Sequence, residues 1–310
     1  MYKSFKPYKQ KIINEIRKTW NSPHLKIKFN TYPVFKSEIP YFEVDHTDGI
    51  GTKGFYHWQR ETFGAAAIDA LAMNLNDLAI VRAFPYKLSN HITVPVEDER
   101  VLKIVRAIVR ECKKHKIVIV GGENSFHDNT DGLDISMTVS GFIKKPVSNR
   151  FQVGDALIGL KSNGLHSNGM TKVRQMFGKE YRKEFTIPTR IYLYDILRLT
   201  ERCDVHGMMH ITGGAFTKLR DILYKVDAII DHPNKLQPQG IFKEMYKKIL
   251  SNKVMYSTFN CGIGFILSVP KHDVSKVLSC VNNACIIGRV VRGNGKIYIR
   301  SAFNGKILKL

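Results

Sequence analysis

The stretch DERVLKIVRAIVRECKKHKIVIVGGE, residues 98–123, indicates the fold class most clearly. Its acidic start and basic end match the dipole of a helix. Its apolar residues recur at helical spacing and form one face: Val101, Ile104, Val105, Ile108 and Cys112. The uncharged run 117–120 then predicts a buried strand, with Gly121-Gly122-Glu123 as the turn after it. A helix that leads directly into a buried strand indicates an α/β protein.

The same alternation extends in both directions from this stretch. Helices are predicted around residues 9–20, 61–81, 189–201 and 214–225. Strands are predicted at LKIKF, YFEVDH, Leu133–Ile143, ALIGL, GIGFILSVP, IIGRVV and KIYIR. The polar segment KKPVSNRFQVGD, residues 144–155, separates the two halves. We therefore expect an N-terminal domain over residues 1–149 and a C-terminal α+β domain over 150–310.

Composition and charge narrow the function classes. The chain has 310 residues, a hydrophobic fraction of 44% and a formal charge of +21, from 48 basic and 27 acidic residues. The hydrophobic fraction is typical of a globular protein. The basic excess could attract polyanions or phosphorylated metabolites, or it could be only a solvated basic surface. Because no basic run is interleaved with aromatic residues, nucleic acid is an unlikely partner.

The cysteines and the N-terminal residues indicate in which cellular compartment the protein is expected. Cys112, Cys203, Cys261, Cys280 and Cys285 form no C-x-x-C pair, so the sequence predicts neither a zinc site nor a disulfide framework. The N-terminal residues carry charges throughout, and no segment has the uncharged length of a membrane span. We expect a cytoplasmic protein that makes no contact with a membrane.

Two patterns in the first half carry oxygen ligands and phosphate-binding groups. Asp45 and Asp48 flank a predicted strand end, followed by small residues and Lys53. Backbone amides of Gly51 and Thr52 can approach an anion there, and carboxylates can serve magnesium. An ordinary Asp-Gly turn is the alternative, and the spacing is not that of a P-loop.

The helix predicted over residues 61–81 carries polar groups that are costly to bury. Asp69 and Asn76 are seven residues apart and so lie on nearly the same face, with Asp77 beside them. A buried carboxylate needs a hydrogen bond or a cation, and Glu123 could join Asp48 and Asp77 as an oxygen ligand. The alternatives are satisfied backbone capping in the helix and a plain turn at Glu123.

The second half contains two glycine-rich segments. In GLHSNG, residues 164–169, glycines bracket His166, Ser167 and Asn168, so this loop can bind phosphate or position a proton carrier. A turn with an exposed His166 is the alternative. The segment 210–214, His-Ile-Thr-Gly-Gly, offers backbone donors before a predicted helix and favours an anion site at Thr212, Gly213 and Gly214.

Taken in order, these motifs resemble the aminoimidazole ribonucleotide synthetase (phosphoribosylformylglycinamidine cyclo-ligase) family over about residues 45–299. The first-half motifs are DGIGTK at 48–53, D-x3-MNLNDL at 69–78, D-x4-R-A-F-P at 77–85 and GGE at 121–123. The second-half motifs are GLHSNGMTKVR at 164–174, PTRIY at 188–192, DVHGMMHITGGAF at 204–216 and TFNCGIGF at 258–265. The superfamily also contains selenophosphate synthetase, thiamine-monophosphate kinase and a hydrogenase-maturation protein. The second-half motifs favour the cyclo-ligase branch.

The resemblance implies a fold and a reaction. It implies a two-domain α/β (α+β) protein whose N-terminal sheet pairs with that of a second subunit into a dimer barrel. It also implies an ATP- and magnesium-dependent ligase of purine synthesis. In that family ATP phosphorylates the formyl oxygen of formylglycinamidine ribonucleotide, and the amidine nitrogen then closes the imidazole ring. A divergent regulatory paralogue that binds a phosphorylated metabolite is the alternative.

The resemblance also implies residue roles. Asp77, His166 and Asn168 are the expected catalytic residues, and Asp48, Asp77 and Glu123 are the expected magnesium ligands. Nucleotide contacts are expected from Asp48, Gly51, Thr52, Lys53, Asp69, Arg82 and Glu123. Substrate contacts are expected from Ser167, Thr212, Gly213 and Gly214. The chain departs from the family pattern by having no glycine before Gly49, Arg82 in place of a glycine, and NSFHDN after Gly121-Gly122-Glu123.

Overall fold

The computed structural model describes residues 9–29, 33–232 and 234–310. The chain divides into two compact units. Unit 1 comprises residues up to Leu78 together with Ala83–Lys144, and unit 2 comprises Ala79–Arg82 together with Lys145–Leu310. The division after Lys144 lies close to the domain boundary predicted from the sequence.

Unit 1 combines helices with a hairpin and a mixed sheet. Its helices are Lys9–Arg17 (α1), Lys53–Arg60 (α2), Phe63–Ile80 (α3) and Arg100–His115 (α4). Its strands are Leu25–Phe29 (β1), Pro33–Ser37 (β2), Phe42–Gly49 (β3), Phe84–Val94 (β4), Val118–Phe126 (β5) and Asp134–Ile143 (β6). The sheet has the order β3-β6-β4-β5, in which only the β4–β5 pair is parallel, while β1 and β2 pair as a separate hairpin.

Helix α3 is the central element of unit 1. Its alanines and leucines are buried on almost every side, including Ala66, Ala70, Leu71 and Leu75 at 0% exposure. A helix that is apolar all round is stable only inside a core. The face predicted for α4 is also confirmed, because Val101, Ile104, Val105, Ile108 and Cys112 are all buried.

Unit 2 contains a seven-stranded sheet with short helices. Its strands are Ala156–Lys161 (β7), Gly207–His210 (β8), Val226–Ile230 (β9), Ile263–Val269 (β10), Ala284–Arg292 (β11), Ile297–Arg300 (β12) and Ile307–Lys309 (β13). The sheet order is β13-β12-β9-β11-β7-β10-β8. Its α-helices are Met170–Phe177 (α5), Leu193–Thr200 (α6), Gly240–Ile249 (α7), Asn252–Thr258 (α8) and Val274–Cys280 (α9).

Two local predictions were wrong. Gly121-Gly122-Glu123 lies inside β5 rather than in a turn after it, because pairing with β4 continues to Phe126 through a register shift near Gly121. Residues 215–222 form a 3₁₀-helix, not an α-helix.

Candidate active site

His46 brings β3 and α3 together at the predicted metal ligands. Alternation along β3 places Val44, His46 and Asp48 on the less exposed face, which is the face towards α3. The imidazole Nε2 lies 3.2 Å from Asp77 Oδ2, and Nδ1 lies 3.1 Å from Asn74 Oδ1. Asn74 and Asp77 are three residues apart and therefore neighbours on one face of the helix.

Asn74 connects this group to the backbone of both elements. Its amide nitrogen donates to the Ala70 carbonyl at 2.9 Å and to the Asp48 carbonyl at 3.2 Å. The Asp48 carboxylate accepts a hydrogen bond from the Gly49 amide at 2.7 Å. The hydrogen bond that the Asp77 carboxylate accepts from the protonated ring raises the pKa of His46 above its ordinary value; partial burial opposes that rise and the contact with Asn74 supports it.

A second polar group of unit 1 is completely buried. The Lys53 ammonium lies 2.9 Å from Asp69 Oδ1 and 2.8 Å from Oδ2. His57 Nε2 lies 2.9 Å from Asp69 Oδ2, and its Nδ1 lies 2.7 Å from Thr62 Oγ1. In this conformation the Lys53 side chain is directed to Asp69, so its predicted phosphate contact stays a prediction.

Burial and pairing determine the charges in this group. Burial alone would raise the pKa of the Asp69 carboxyl, but the Lys53 ammonium and the His57 hydrogen bond outweigh it, so that pKa lies below its ordinary value. Burial lowers the pKa of Lys53 and of His57, against the opposing influence of Asp69. We therefore assign a charged Lys53–Asp69 pair with a neutral His57 that donates from Nε2 and accepts the Thr62 hydroxyl proton.

The predicted magnesium ligands do not all meet within the chain. Register places Asp48, Met137, Asn90 and Gly122 in one row across the sheet. Three strand spacings, roughly 14 Å, therefore separate Asp48 from Gly122 and its neighbour Glu123. Because Gly122 shares the face of Asp48, Glu123 projects from the opposite face. Asp77 contacts His46 and Asp48 shares a strand face with it, whereas Glu123 lies three strands from Asp48 and on the other face of the sheet.

Within the described ranges, the group of three side chains spaced to hold a metal is Asp204, His272 and Asp273, in unit 2. Asp273 there accepts hydrogen bonds from the Lys276 ammonium at 2.8 Å and from the Asp204 amide at 2.7 Å. His272 and Asp204 are largely exposed. This arrangement is a surface ion-pair network, which Lys276 already neutralises in part.

Arg82 contacts the backbone of unit 2. It lies at the end of unit 2's short segment 79–82, has a positive φ of 58°, and donates from Nη2 to the Val205 carbonyl at 2.6 Å. Partial burial lowers the pKa of the guanidinium, and the nearby Asp204 opposes that change. The predicted phosphate contact of Arg82 stays a prediction.

The predicted substrate segments of unit 2 meet at one end of its sheet. Ile263 of β10 pairs with Lys161 of β7, and Phe265 pairs with His210 of β8, so the loops after β7 and β8 lie at the same edge. Asn260, in the turn before β10, joins that turn to the loop after β7. Its amide nitrogen donates to the carbonyls of Gly164 and Leu165, and its amide oxygen accepts from Ser162 and from the Gly262 amide.

His166 is buried at 1% exposure, so the interpretation of an exposed loop histidine was wrong. Its ring lies 6.2 Å from that of Tyr192, and a Cβ added at Gly264 would be 2.8 Å from His166 Cε1 and 2.0 Å from the Tyr192 hydroxyl. Gly264 therefore leaves the space that both side chains fill. A substrate contact by His166 stays a prediction.

Except for Thr212, the neighbouring predicted residues are more accessible. Ser167 Oγ lies 3.2 Å from Thr189 Oγ1, and Asn168 donates to the Thr258 carbonyl. Thr212 is buried, but Gly213 and Gly214 are exposed, and a Cβ added at Gly213 would meet no atom within 4 Å. Gly214 has a φ of 77° and leads into the 3₁₀-helix 215–222. Open backbone at this position suits an anionic group.

Sequence reasoning missed His46, Asn74, His57 and Asn260. His46 could have been found, because residues two apart on a strand share a face and Asp48 had been selected. Asn74 could have been found from its helical spacing to Asp77. His57 gave no such signal, since its approach to Asp69 depends on the angle between α2 and α3.

Comparisons with known proteins match both halves of the chain. The family model described as "AIR synthase related protein, N-terminal domain" matches residues 42–143, and the corresponding C-terminal domain model matches residues 152–300. A phosphoribosylformylglycinamidine cyclo-ligase of Saccharolobus solfataricus is 35% identical over 278 residues, 86% of this chain and 83% of the relative. One of Methanocaldococcus jannaschii is 34% identical over 277 residues, 81% and 79% of the two chains.

Solved structures show the same fold at lower identity. Hydrogenase maturation protein HypE in complex with ATP has a TM-score of 0.72 at 16% identity, covering all of this chain and 96% of that one. Thiamine-monophosphate kinase from Stenotrophomonas maltophilia K279a has a TM-score of 0.68 at 16% identity, covering 95% and 96%. The fold is therefore the AIR synthase-like mixed α/β fold. Because the two domain models together match more than half of the chain and the relatives exceed 30% identity over most of its length, the chain belongs to the AIR synthase related family.

Proposed function

We propose that this protein is an ATP-dependent ring-closing ligase of purine synthesis, which converts formylglycinamidine ribonucleotide to aminoimidazole ribonucleotide. The observation that carries this proposal is the identity of 34–35% with cyclo-ligases along more than four fifths of the chain. The HypE structure in complex with ATP supports the proposal that ATP is the nucleotide used, since its fold matches the whole chain. Fold likeness alone would not identify the reaction.

The reaction has two steps. ATP transfers its γ-phosphoryl group to the formyl oxygen, and ADP leaves. The amidine nitrogen then attacks the formyl carbon, inorganic phosphate leaves with that oxygen, and a proton is released as the ring becomes aromatic. The protein's contribution to such a reaction is positioning and charge neutralisation.

Unit 1 supplies the groups that fit the nucleotide and its cation. Asp48 and Asp77 carry the hard oxygen ligands that magnesium prefers, and both lie beside His46. Magnesium bound there would neutralise phosphate charge during transfer. Glu123 does not reach this pair within one chain, so its predicted metal role would need a different arrangement.

Unit 2 supplies the groups that fit the phosphorylated substrate. Exposed backbone at Gly213 and Gly214 suits a phosphate, and Ser167 with Asn168 can donate hydrogen bonds to polar atoms of the substrate. Asn260 holds the loop 162–165 to the turn 260–262. These residues would bind and orient the substrate rather than exchange protons with it.

We also propose a homodimer in the cytoplasm. Strand β3 lies at an edge of the unit 1 sheet, and Phe42 on it is 72% exposed. A large exposed apolar residue on an edge strand is typical of a surface that pairs with another chain. The five free cysteines are compatible with a reducing compartment. In the described ranges no helix has the length and apolar character for a bilayer crossing.

One incubation tests the proposed activity. The protein is mixed with ATP, magnesium and formylglycinamidine ribonucleotide, and the formation of ADP and aminoimidazole ribonucleotide is followed. Equal rates of both products are expected. Binding of ATP or substrate without turnover would instead support the regulatory paralogue. Light scattering of the same sample tests the dimer.

A further inference from the structure

His46 lies at a position where two elements fix its ring from opposite sides. The pleat of β3 directs it to α3, and the helical spacing of Asn74 and Asp77 presents two polar groups to its two nitrogens. None of the motifs that carry the family resemblance includes this histidine.

The Asn74 amide has one orientation. Its nitrogen faces two carbonyl oxygens, of Ala70 and of Asp48, which can only accept hydrogen bonds. The amide oxygen therefore faces His46, and Nδ1 of His46 must donate to it. This contact fixes the plane of the ring and directs Nε2 to Asp77 Oδ2 at 3.2 Å, where a carboxylate can only accept, so both nitrogens donate and the ring is an imidazolium.

We propose that His46 is a positioning residue of the ligase site, which orients the Asp77 carboxylate through its Nε2–H while Asn74 fixes the imidazole ring. The proposal rests on the proposed function, because it assigns Asp77 to magnesium and nucleotide. The torsion that orients an aspartate carboxylate has a broad minimum, so a second hydrogen-bonding group is needed to hold it. Removing a group that supports a ligating carboxylate in this way typically lowers metal affinity by about 10- to 100-fold.

Two isosteric variants separate orientation from charge. The longer amide of His46→Gln reaches as far as Nε2 and can still donate to Asp77. The shorter amide of His46→Asn reaches as far as Nδ1 and can donate only to Asn74. Both variants are neutral at this position, so any effect of losing imidazole charge is common to both. His272→Gln, at an exposed histidine of unit 2, controls for the loss of a histidine elsewhere.

The measurement is calorimetric titration of ATP, with magnesium and again with the metal chelated. The ratio of the two ATP affinities gives the gain in ATP affinity that magnesium provides. We expect this gain to be about tenfold smaller in His46→Asn than in His46→Gln. In an Asp77→Asn background the difference between the two variants should disappear, because the group that is oriented has lost its charge.

Equal gains in the two variants, or a difference that persists in the Asp77→Asn background, would overturn the proposal. If His46→Asn does not fold, as judged by near-ultraviolet circular dichroism, Asn74→Ala replaces it, since it releases the ring while keeping the imidazole. The same tenfold loss is then expected. A wild-type protein that binds magnesium-ATP without forming product would contradict the proposed ligase activity. The comparison of the two His46 variants would then still test the positioning role of His46.

Discussion

The ammonium of Lys53 lies within 2.9 Å of both carboxylate oxygens of Asp69, and neither side chain is exposed to solvent. Burying two charges is unfavourable unless each compensates the other and their remaining hydrogen bonds are made. His57 supplies one of those bonds. The pair fixes the first residue of α2 to the middle of α3, directly after the turn that follows β3, the strand that carries Asp48.

Asp69→Asn should destabilise the protein strongly. The variant leaves the Lys53 ammonium buried without its counter-charge, which typically costs about 3–5 kcal/mol. Urea unfolding of wild type and variant measures the difference. The matched control is Lys53→Met combined with Asp69→Leu, which removes both charges and should recover most of the loss. If the double variant is as unstable as Asp69→Asn, packing rather than charge explains the effect.

Asp77→Asn and Glu123→Gln should differ in metal-dependent nucleotide binding. Asp77 contacts His46, which shares a strand face with Asp48, whereas Glu123 projects from the other face of the sheet. Removing one charged oxygen ligand at Asp77 should weaken magnesium-dependent ATP binding by about tenfold or more. Glu123→Gln should change it less than threefold, within what a surface charge contributes. Equal losses in calorimetric titration would restore Glu123 to the metal site.

Arg82→Gly should leave ATP affinity unchanged if the guanidinium acts at Val205. The substitution loses a hydrogen bond to a carbonyl, worth about 1.5–3 kcal/mol for a charged donor. It also relieves a positive φ, worth about 1–2 kcal/mol. Net stability should therefore change little, and Arg82→Ala should be less stable than Arg82→Gly. A change in magnesium-ATP affinity in calorimetry would show that Arg82 contacts nucleotide.

His166→Ala should reduce stability as well as activity. Its side chain is fully buried beside Tyr192, so truncation leaves a cavity and costs about 2–4 kcal/mol. Gly264→Ala is a useful comparison, because a methyl group there overlaps both rings. Measuring both the unfolding curve and the substrate affinity of His166→Ala separates a structural role of His166 from a role in substrate binding. Unchanged stability in His166→Ala would contradict the buried position.

His232 should make the protein less stable in mild acid. Burial lowers the pKa of His232 from 6.5 to about 4. The Leu236 carbonyl accepts a hydrogen bond from Nδ1, and this bond opposes part of the decrease in pKa. Between these values the unfolded chain binds a proton that the folded chain does not, so the free energy of unfolding falls as the pH falls. His232 should account for about 3 kcal/mol between pH 7 and pH 4.

The control for this prediction is His232→Gln, which does not titrate. The stability difference between wild type and variant should be constant above pH 7 and should change in favour of the variant at lower pH. Parallel pH profiles for the two proteins would assign the acid sensitivity to other groups.

Much of the fold followed from the sequence because the apolar spacing in segments such as 98–123 is unambiguous. The failures occurred where tertiary pairing overrides local preference. Gly121 and Gly122 have low intrinsic strand propensity, yet pairing with β4 keeps them in β5. Similarly, nothing in the local pattern at His166 distinguishes an exposed loop from one covered by Tyr192.

The candidate site was predicted less completely than the fold. Motifs identified Asp48, Asp69 and Asp77, since acidic residues in apolar surroundings are conspicuous. They did not show that Asp69 is paired with Lys53 while Asp77 is paired with His46, because these pairings depend on how α2, α3 and β3 cross. The remoteness of Glu123 likewise follows only from strand order.

Asn260 has a consequence for the dynamics of unit 2. Its single amide group binds both the segment 162–165 and the turn 260–262, so neither can detach without breaking the bonds of the other. Local opening of a protein proceeds in cooperative units that share their hydrogen bonds. The amide protons of the two loops should therefore exchange with solvent at one common rate, and a ligand that orders one loop slows exchange in both.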